Sequence, residues 1–150
     1  MAETVDAAGT FILFTVADAS YAVSSEQVQH MEMVEHVTPV PNAPPFIDGV
    51  VFSRGQVVPV VNLRARFGFP RVAPDLRARL VIVRGDGRLA GLVVDAAREF
   101  VRIPASAIQP PPEGINGLSG RYLAGVATIG DRLVLVLELE ELLKTDIPVG

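Results

Sequence analysis

The chain has 150 residues, 49% of them hydrophobic, no cysteine and a formal net charge of −4. A mildly acidic chain without a basic cluster does not favour binding to nucleic acid or to an anionic membrane surface, and the lack of cysteine excludes disulfides and thiolate zinc sites. The apolar runs are too short to cross a bilayer and no signal peptide is visible, so we expect a cytoplasmic protein without direct membrane insertion.

The first half of the chain predicts short strands separated by turns and loops. Residues 1–9 are small, polar and acidic, which predicts a flexible N-terminus. Ser24 followed by Gln27 matches a capping box, which predicts a short helix over residues 25–33. The prolines of residues 38–45 predict a loop. Strands are predicted over 11–16, 21–23, 46–53 and 56–62, with a glycine-dependent turn at Arg54-Gly55 and a short helix over 63–67.

The second half repeats this organisation after a proline-containing connector over residues 70–77. Turn residues between apolar runs predict hairpins over 80–95 and 122–137, with a further strand near 100–103. The segment 109–120 is rich in proline and glycine and is predicted to be a loop. An amphipathic helix over 138–144 and a tail over 146–150 close the chain.

An internal repeat accounts for this similarity. Residues 49–63 align with residues 125–139 at one constant offset without gaps, so that Gly49 meets Gly125 and Leu63 meets Leu139. A weaker match sets residues 11–14 over 80–83. The sequence therefore predicts two similar units of about five strands and a closing helix, which form small barrels and pack together. The alternative is that valine-rich hairpins resemble one another by chance.

Side chains that carry catalytic chemistry do not form a recognisable pattern. The two histidines are six residues apart, which does not fit a metal pair on one helix, and the serine in Gly-Leu-Ser-Gly lacks the flanks of a nucleophile elbow. The acidic residues near the C-terminus suggest either acid/base work or a solvated helix face. We predict a binding module without cofactor or metal, not an enzyme. The residues considered above for metal binding or catalysis are His30, His36, Ser119, Glu138, Glu140 and Glu141.

A series of motifs, weak singly and specific in their order, resembles one family. The segments are Phe11-Ile-Leu-Phe, Tyr21-Ala-Val, Val28-Gln, Asn42-Ala-Pro-Pro-Phe-Ile-Asp-Gly, Arg54-Gly-Gln-Val-Val-Pro-Val-Val-Asn-Leu, Gly91-Leu-Val-Val-Asp, Ile108-Gln-Pro-Pro, Tyr122-Leu-Ala-Gly-Val, Gly130-Asp-Arg and Leu142-Leu-Lys. Together they resemble the CheW-like chemotaxis coupling proteins over about residues 10–145.

The resemblance implies a fold and a set of partners. The fold is mainly β, a single domain over 10–145 made of two five-stranded Src-homology-type barrels with short helices. Subdomain one is expected over roughly 15–75 and subdomain two over roughly 76–137. The two subdomains can exchange strands, and a C-terminal helix can follow over 138–144. The implied function is a non-enzymatic adaptor between the regulatory domain of a CheA-type histidine kinase and the cytoplasmic tips of chemoreceptors. Ring contacts between CheW-like domains and association with membrane receptor arrays are also implied.

The resemblance also implies two groups of site residues. The receptor-binding residues are Val28, His30, Arg54 and Phe100, and the kinase-binding residues are Val37, Pro39 and Val57. The alternative for Arg54 is an ordinary solvated turn residue. For Val28 and Phe100 it is core packing.

Three departures from the family pattern concern this site. Phe52 and Ser53 replace an asparagine and a leucine-like residue, His30 replaces a glutamate that can pair with the arginine, and Asn62 replaces an aspartate. They suggest, as an alternative, a divergent CheW-like paralogue with a structural or partner-restricted role. A small-molecule-binding barrel enzyme is a third interpretation. A histidine near Arg54 also suggests a pH switch, since a second positive charge would add repulsion.

Overall fold

Short β-strands dominate the computed structural model, which describes residues 9–112 and 119–144. The strands are β1 (Thr10–Val16), β2 (Ala19–Ser24), β3 (Val28–Met33), β4 (Ile47–Ser53), β5 (Gln56–Asn62), β6 (Arg79–Gly85), β7 (Arg88–Val94), β8 (Ala96–Arg102), β9 (Ile108–Gln109), β10 (Leu123–Ile129) and β11 (Arg132–Leu137). The helices are α1 (Leu63–Arg66) and α2 (Leu139–Leu142), and 3₁₀ turns cover Ser25–Gln27, Ala105–Ala107 and Ser119–Tyr122.

The strands form two sheets, and each sheet wraps around its own apolar cluster. The first barrel has the strand order β3-β6-β7-β5-β4, and the second has the order β8-β1-β2-β11-β10-β9. Val58, Leu80 and Ile82 lie inside the first barrel, and Leu13 and Val134 lie inside the second. The predicted mainly β fold of two small barrels is confirmed. The two-residue strand β9 makes the second sheet one strand larger than expected.

Each barrel is completed by a hairpin from the other half of the chain. The β1–β2 hairpin lies in the second barrel beside β8 and β11, and the β6–β7 hairpin lies in the first barrel beside β3 and β5. The sheets therefore do not divide at residue 76, as the expected ranges 15–75 and 76–137 would require. Exchange of hairpins between the two halves of the chain accounts for this difference.

The strand registers confirm the internal repeat. Ile47 pairs with Val61 and Leu123 with Leu137, and both strand pairs shift register before the following glycine. The parallel junctions also correspond, because β5 pairs with β7 as β11 pairs with β2. The shared bulge and the shared parallel neighbour favour an internal repeat over chance similarity of valine-rich hairpins.

A third apolar cluster, the shared core, joins the barrels. It contains the inner faces of both hairpins, such as Phe14 and Val83, and the helix residues Leu63 and Leu139. Strands β1 and β6 bury both faces, one inside a barrel and one in this core. This explains why their sequences are nearly continuous apolar runs.

A buried arginine marks the point where the two helices meet. The guanidinium carbon of Arg66 lies 3.8 Å from the ring centroid of Phe46 and 5.0 Å from that of Tyr122. Its Nε donates a hydrogen bond to the carbonyl of Leu142 at 3.1 Å. The cation is stabilised by two aromatic faces and by carbonyls at the C-terminal end of α2.

One predicted helix is wrong. Residues 25–33 form a single 3₁₀ turn followed by β3, not a helix. The hydroxyl of Ser24 accepts from the amide of Glu26 at 3.3 Å, so the cap serves one turn only. Burial then alternates from Val28 to Met33, which is the period of a strand.

The other predicted elements lie close to their expected places. The loop over 38–45 makes one bridge, between Thr38 and Val50. The closing helix buries Leu139, Leu142 and Leu143. The predicted tail 146–150, residues 113–118 of the predicted loop and all but Gly9 of the predicted N-terminus lie outside the described residues. Within the described ranges, no helix has the length and apolarity needed to cross a bilayer.

Candidate functional site

Arg54 occupies a rigid turn at one end of the first barrel. It joins β4 to β5 with Gly55, and both residues have positive φ, 47° and 82°. This is the backbone that a two-residue hairpin turn requires. The Arg54 side chain is exposed, and no side chain in residues 9–112 and 119–144 hydrogen-bonds to it. The turn therefore presents an exposed cation at the end of the first barrel.

A polar cluster beside this turn ties together the two outer strands of the first barrel. Nε2 of His30 on β3 lies 2.7 Å from Oε2 of Glu32 and 3.1 Å from Oγ of Ser53 on β4. The buried hydroxyl of Ser53 donates to the same carboxylate oxygen. We call these three residues the seam. It joins β3 and β4 by side-chain hydrogen bonds.

The seam lowers the pKa of the Glu32 carboxyl. The hydrogen bond from Ser53 is the largest cause, partial burial opposes it, and the hydrogen bond and charge of His30 and the charge of Arg54 add to the lowering. The charge of Arg54 is the smallest of these causes, so Glu32 is close enough to Arg54 for their charges to interact. The resemblance places that acid at position 30, and the structure supplies an acid two residues further along the strand.

The hypothesis of a pH switch at His30 loses its basis in this arrangement. It assumed that a protonated imidazole would face Arg54 without compensation. The ring instead lies against Glu32, so a positive charge on His30 would be offset by the carboxylate.

The four predicted receptor-binding residues do not form one group. His30 and Arg54 line a recess of about 150 Å³ together with Arg84. Val28 is half-buried and packs against the shared core. Phe100 is 60% exposed on β8 of the second barrel. The role of all four in receptor binding stays a prediction.

The three predicted kinase-binding residues lie around the β4–β5 hairpin. Val57 is 65% exposed and pairs across the hairpin with Phe52, which is 75% exposed. Pro39 is exposed next to Gly49, and Val37 is half-buried against the core of the first barrel. Val57 and Phe52 thus form an apolar outer face, which we call the hairpin patch. Its role in kinase binding also stays a prediction.

Asn62, the third departure from the family pattern, has a structural role. Its Oδ1 accepts from the amide of Ala65 at 3.0 Å, so it caps the N-terminus of α1. Its Nδ2 donates to Asp48 at 2.9 Å. Asparagine and aspartate are equally good N-caps, so the cap of α1 is the same with either residue, whereas only asparagine can donate to Asp48.

The acidic residues at the C-terminal helix are held in local interactions. Burial, and then the neighbouring carboxyl of Glu140, raise the pKa of Glu138. Glu140 accepts from the side chain of Gln27 at 3.2 Å. Over the described parts of the chain, no three histidine, cysteine or acidic side chains converge as metal ligands. These side chains hold the end of the second unit against the start of the first.

Comparison with known families gives a single assignment over nearly the whole chain. The profile of the CheW-like domain matches residues 10–146. The chain is 31% identical over 136 residues to the chemotaxis protein CheW of Klebsiella aerogenes, covering 91% of this chain and 82% of that one. It is 35% identical over 139 residues to the protein FrzA of Myxococcus xanthus, covering 90% and 85%.

A solved structure has the same fold. The scaffolding protein TtCheW of Thermoanaerobacter tengcongensis superposes with a TM-score of 0.85 at 28% sequence identity, covering 92% of this chain and 94% of that one. The exchanged pair of barrels is therefore matched over almost the full length of both chains.

Proposed function

Because the chain belongs to the CheW-like domain family, we propose that it is a non-enzymatic adaptor that couples chemoreceptors to a CheA-type histidine kinase. It works in the cytoplasm, at arrays of membrane receptors. The partners are the cytoplasmic tips of the receptors and the regulatory domain of the kinase, with ring contacts to other CheW-like domains.

The observation that carries the proposal is the position of Arg54 beside His30 and Ser53 of the seam, in the same recess. An exposed guanidinium on a two-residue turn, next to a carboxylate with a lowered pKa, places opposite charges side by side on the surface. Such a pattern selects partners and orients them. It needs no movement of the backbone, which suits an adaptor that binds two proteins at once.

The hairpin patch supports a second contact on the same barrel. Val57 and Phe52 expose adjoining apolar side chains on a regular strand pair. Exposed apolar patches of this kind are typical of transient protein interfaces. We assign this patch to the kinase, and the recess at Arg54 to the receptor.

The alternative is a partner-restricted paralogue. The aromatic side chain of Phe52 points to solvent where the family carries asparagine, and His30 occupies the position of the glutamate. If the receptor needs those two residues, the chain would bind the kinase alone.

Co-sedimentation with receptor-containing membranes and a CheA-type kinase tests the proposal. We expect the chain to bind both and to be required for kinase activation. Arg54→Glu should weaken receptor binding by about ten-fold or more and leave kinase binding intact. Val57→Asp should do the reverse, and Arg132→Glu on the matching hairpin of the second barrel is the control. A chain that binds neither partner would rule out the adaptor, and one that binds only the kinase would establish the paralogue.

A further inference from the structure

We propose that the mouth of the first barrel, which is the recess lined by Arg54 and Arg84, binds a phosphate group. A phosphate site goes beyond the adaptor function, because its ligand is a small anion and the folded chain alone suffices to bind it. Three observations support the assignment: two cations face one recess, no acid lies among the residues that line it, and its floor is apolar.

Arg84 is charged although it occupies an inward-facing position of β6. Ile82, two residues earlier on this strand, is 1% exposed inside the first barrel. Residues i and i+2 of a strand share a face, so the inward-facing row of β6 ends with Arg84 at the mouth of the barrel. A charged group is tolerated at such a position only where it reaches water or a ligand, and Arg84 is exposed.

The same alternation places Gln56 at the mouth. Gln56 begins β5, two residues before Val58, which is fully buried inside the barrel. Gln29 lines the recess from the edge strand β3. The two carboxamides add N–H donors to those of the two guanidinium groups.

The two arginines of the recess lack a counter-charge on its wall. None of the nine residues that line the recess is acidic. Over the described ranges of the chain, neither Arg54 nor Arg84 forms an ion pair or a side-chain hydrogen bond. Glu32 is held by the side chains of Ser53 and His30 instead. The recess therefore carries two positive charges that an anion can bridge.

The floor of the recess strengthens its attraction for an anion. Val58, Ile82 and Leu89 form the floor and belong to the apolar core of the first barrel. A cleft with charges of one sign and apolar walls focuses the electric field and raises the local concentration of the opposite ion. The chain has a net charge of −4, so the attraction is a property of the recess and not of the whole molecule.

Charge and donor number favour a phosphate group over a carboxylate. A phosphate group carries about −1.5 to −2 charges at neutral pH and at least three acceptor oxygens. Its charge matches two guanidinium groups, and its oxygens can accept from both arginines and from the carboxamides at once. The phosphate group is either the free ion or the end of a phosphate ester, because Arg54, Gln56 and Arg84 are exposed and leave the mouth open.

Arg54 belongs both to this site and to the recess assigned above to the receptor. A phosphate group bound at Arg54 therefore competes with the receptor, a consequence that rests on the proposed function. Phosphate binding itself does not rest on that function and is measured on the isolated chain.

NMR titration of the isolated chain with inorganic phosphate, at neutral pH and constant ionic strength, tests the site. We expect saturable shifts of the amides of Arg54, Gly55 and Arg84, with a Kd of about 1 mM. Arg54→Gln and Arg84→Gln should each weaken binding by about ten-fold, the effect of losing one charge-assisted hydrogen bond. Arg98→Gln is the matched control, since Arg98 is exposed on β8 of the second barrel, and it should leave the Kd unchanged.

Two further probes identify the ligand. Acetate should bind about ten-fold more weakly than phosphate, because it carries one charge and two acceptor oxygens. Methyl phosphate that binds as tightly as inorganic phosphate would assign the site to a phosphate ester, and weaker binding would assign it to the free ion. A recess without saturable shifts, equal binding of acetate and phosphate, or an equal loss in Arg98→Gln would overturn the phosphate site, whether or not the chain binds a receptor.

Discussion

Ser53 connects strand β4 to strand β3 through its hydroxyl group. Its buried hydroxyl donates to Glu32 and lies near His30, so one side chain links β4 to two residues of β3. Glu32 was not recognised from the sequence, because residues 25–33 were predicted to be a helix. In a helix, positions 30 and 32 point in different directions, whereas in a strand they share a face.

Substitution of Ser53 should therefore change the titration of Glu32. Ser53→Ala removes the largest cause of the lowered pKa, so we expect the pKa of Glu32 to rise. We expect the free energy of unfolding to fall by about 1 kcal/mol. NMR titration of the carboxyl carbons measures the first and urea unfolding the second. Thr128→Ala, at an exposed position of β10, is the control, and an unchanged pKa of Glu32 would contradict the geometry of the seam.

Asp95 connects the β1–β2 hairpin to α1 by hydrogen bonds, at the point where the chain passes from the first barrel to the second. It accepts from Nη2 of Arg64 at 2.7 Å and from the amide of Ala17 at 2.8 Å. Burial alone would raise the pKa of Asp95, but the hydrogen bonds from Arg64 and Ala17 and the charge of Arg64 outweigh it, and the pKa is lowered. The folded chain thus stabilises the ionised form of Asp95 more than the unfolded chain does.

A lowered pKa predicts the direction of the pH dependence. The stability that Asp95 contributes is fully present above the unfolded pKa of about 3.9 and is lost as the pH falls through the folded pKa. Asp95→Asn should lower the free energy of unfolding at pH 7 by about 1–3 kcal/mol, with a smaller difference from wild type at pH 3. Urea unfolding at both pH values measures this, with the turn variant Asp131→Asn as control. An equal difference at both pH values would show that the charge of Asp95 is not involved.

The strand elements were predictable because their signals are local. Alternating or continuous apolar runs between turn residues located the hairpins, and Gly55 fixed the turn at Arg54. The helix over 25–33 was predicted wrongly because a capping box describes only the first turn. Whether a strand follows depends on the available edge of β6, and that edge belongs to the other half of the chain.

The two bulged strand pairs depend on glycine at corresponding positions. A Cβ on Gly49, where φ is 149°, would lie 2.1 Å from the carbonyl oxygen of Thr38, and a Cβ on Gly125 would lie 2.7 Å from that of Gln109. The approach of a neighbouring backbone leaves no room for a side chain in either barrel.

Alanine at Gly49 should therefore destabilise the first barrel. We expect Gly49→Ala to lower the free energy of unfolding by about 2–4 kcal/mol, from the clash and from strain at positive φ. Gly130→Ala is the control, since it has a positive φ but nothing within 4 Å, and it should cost about 1 kcal/mol. Thermal and urea unfolding measure both. Equal losses would mean that backbone strain alone accounts for the effect.

At the scale of the molecule, the sequence predicted two barrels but not which strands build each. A repeat shows that two units are alike and leaves open which unit's hairpin completes which barrel. The connections decide this. β7 ends at Val94 and β8 begins at Ala96, so the chain has no room to turn back and β8 must continue into the other sheet.

The candidate site was predictable to a similar extent. Arg54 could be located by its turn, and Val57 by its position on an apolar strand. The recess at Arg54 and the seam could not be predicted, because they form only when β3 and β4 close the barrel from opposite edges.

The exchange of hairpins predicts that a cut in the connector leaves the protein intact. A protease site inserted between Ala73 and Pro74, both exposed, allows cleavage of the folded chain. We expect the two fragments to co-elute in gel filtration under native conditions and to separate in urea, because each barrel contains strands of both. An insertion at the same position without a cleavage site is the control. Separation under native conditions would contradict the exchanged topology.

The exchange of hairpins also determines when each barrel can fold during synthesis on the ribosome. The first barrel lacks two of its central strands until Val94 has emerged, and the β1–β2 hairpin has no sheet to join until β8, β10 and β11 follow. The earliest apolar strands to be synthesised are thus among the last to be covered. Pairing between such distant segments is slow, so we expect nascent chains of this protein to expose residues 11–16 for most of their synthesis and to bind chaperones during that interval.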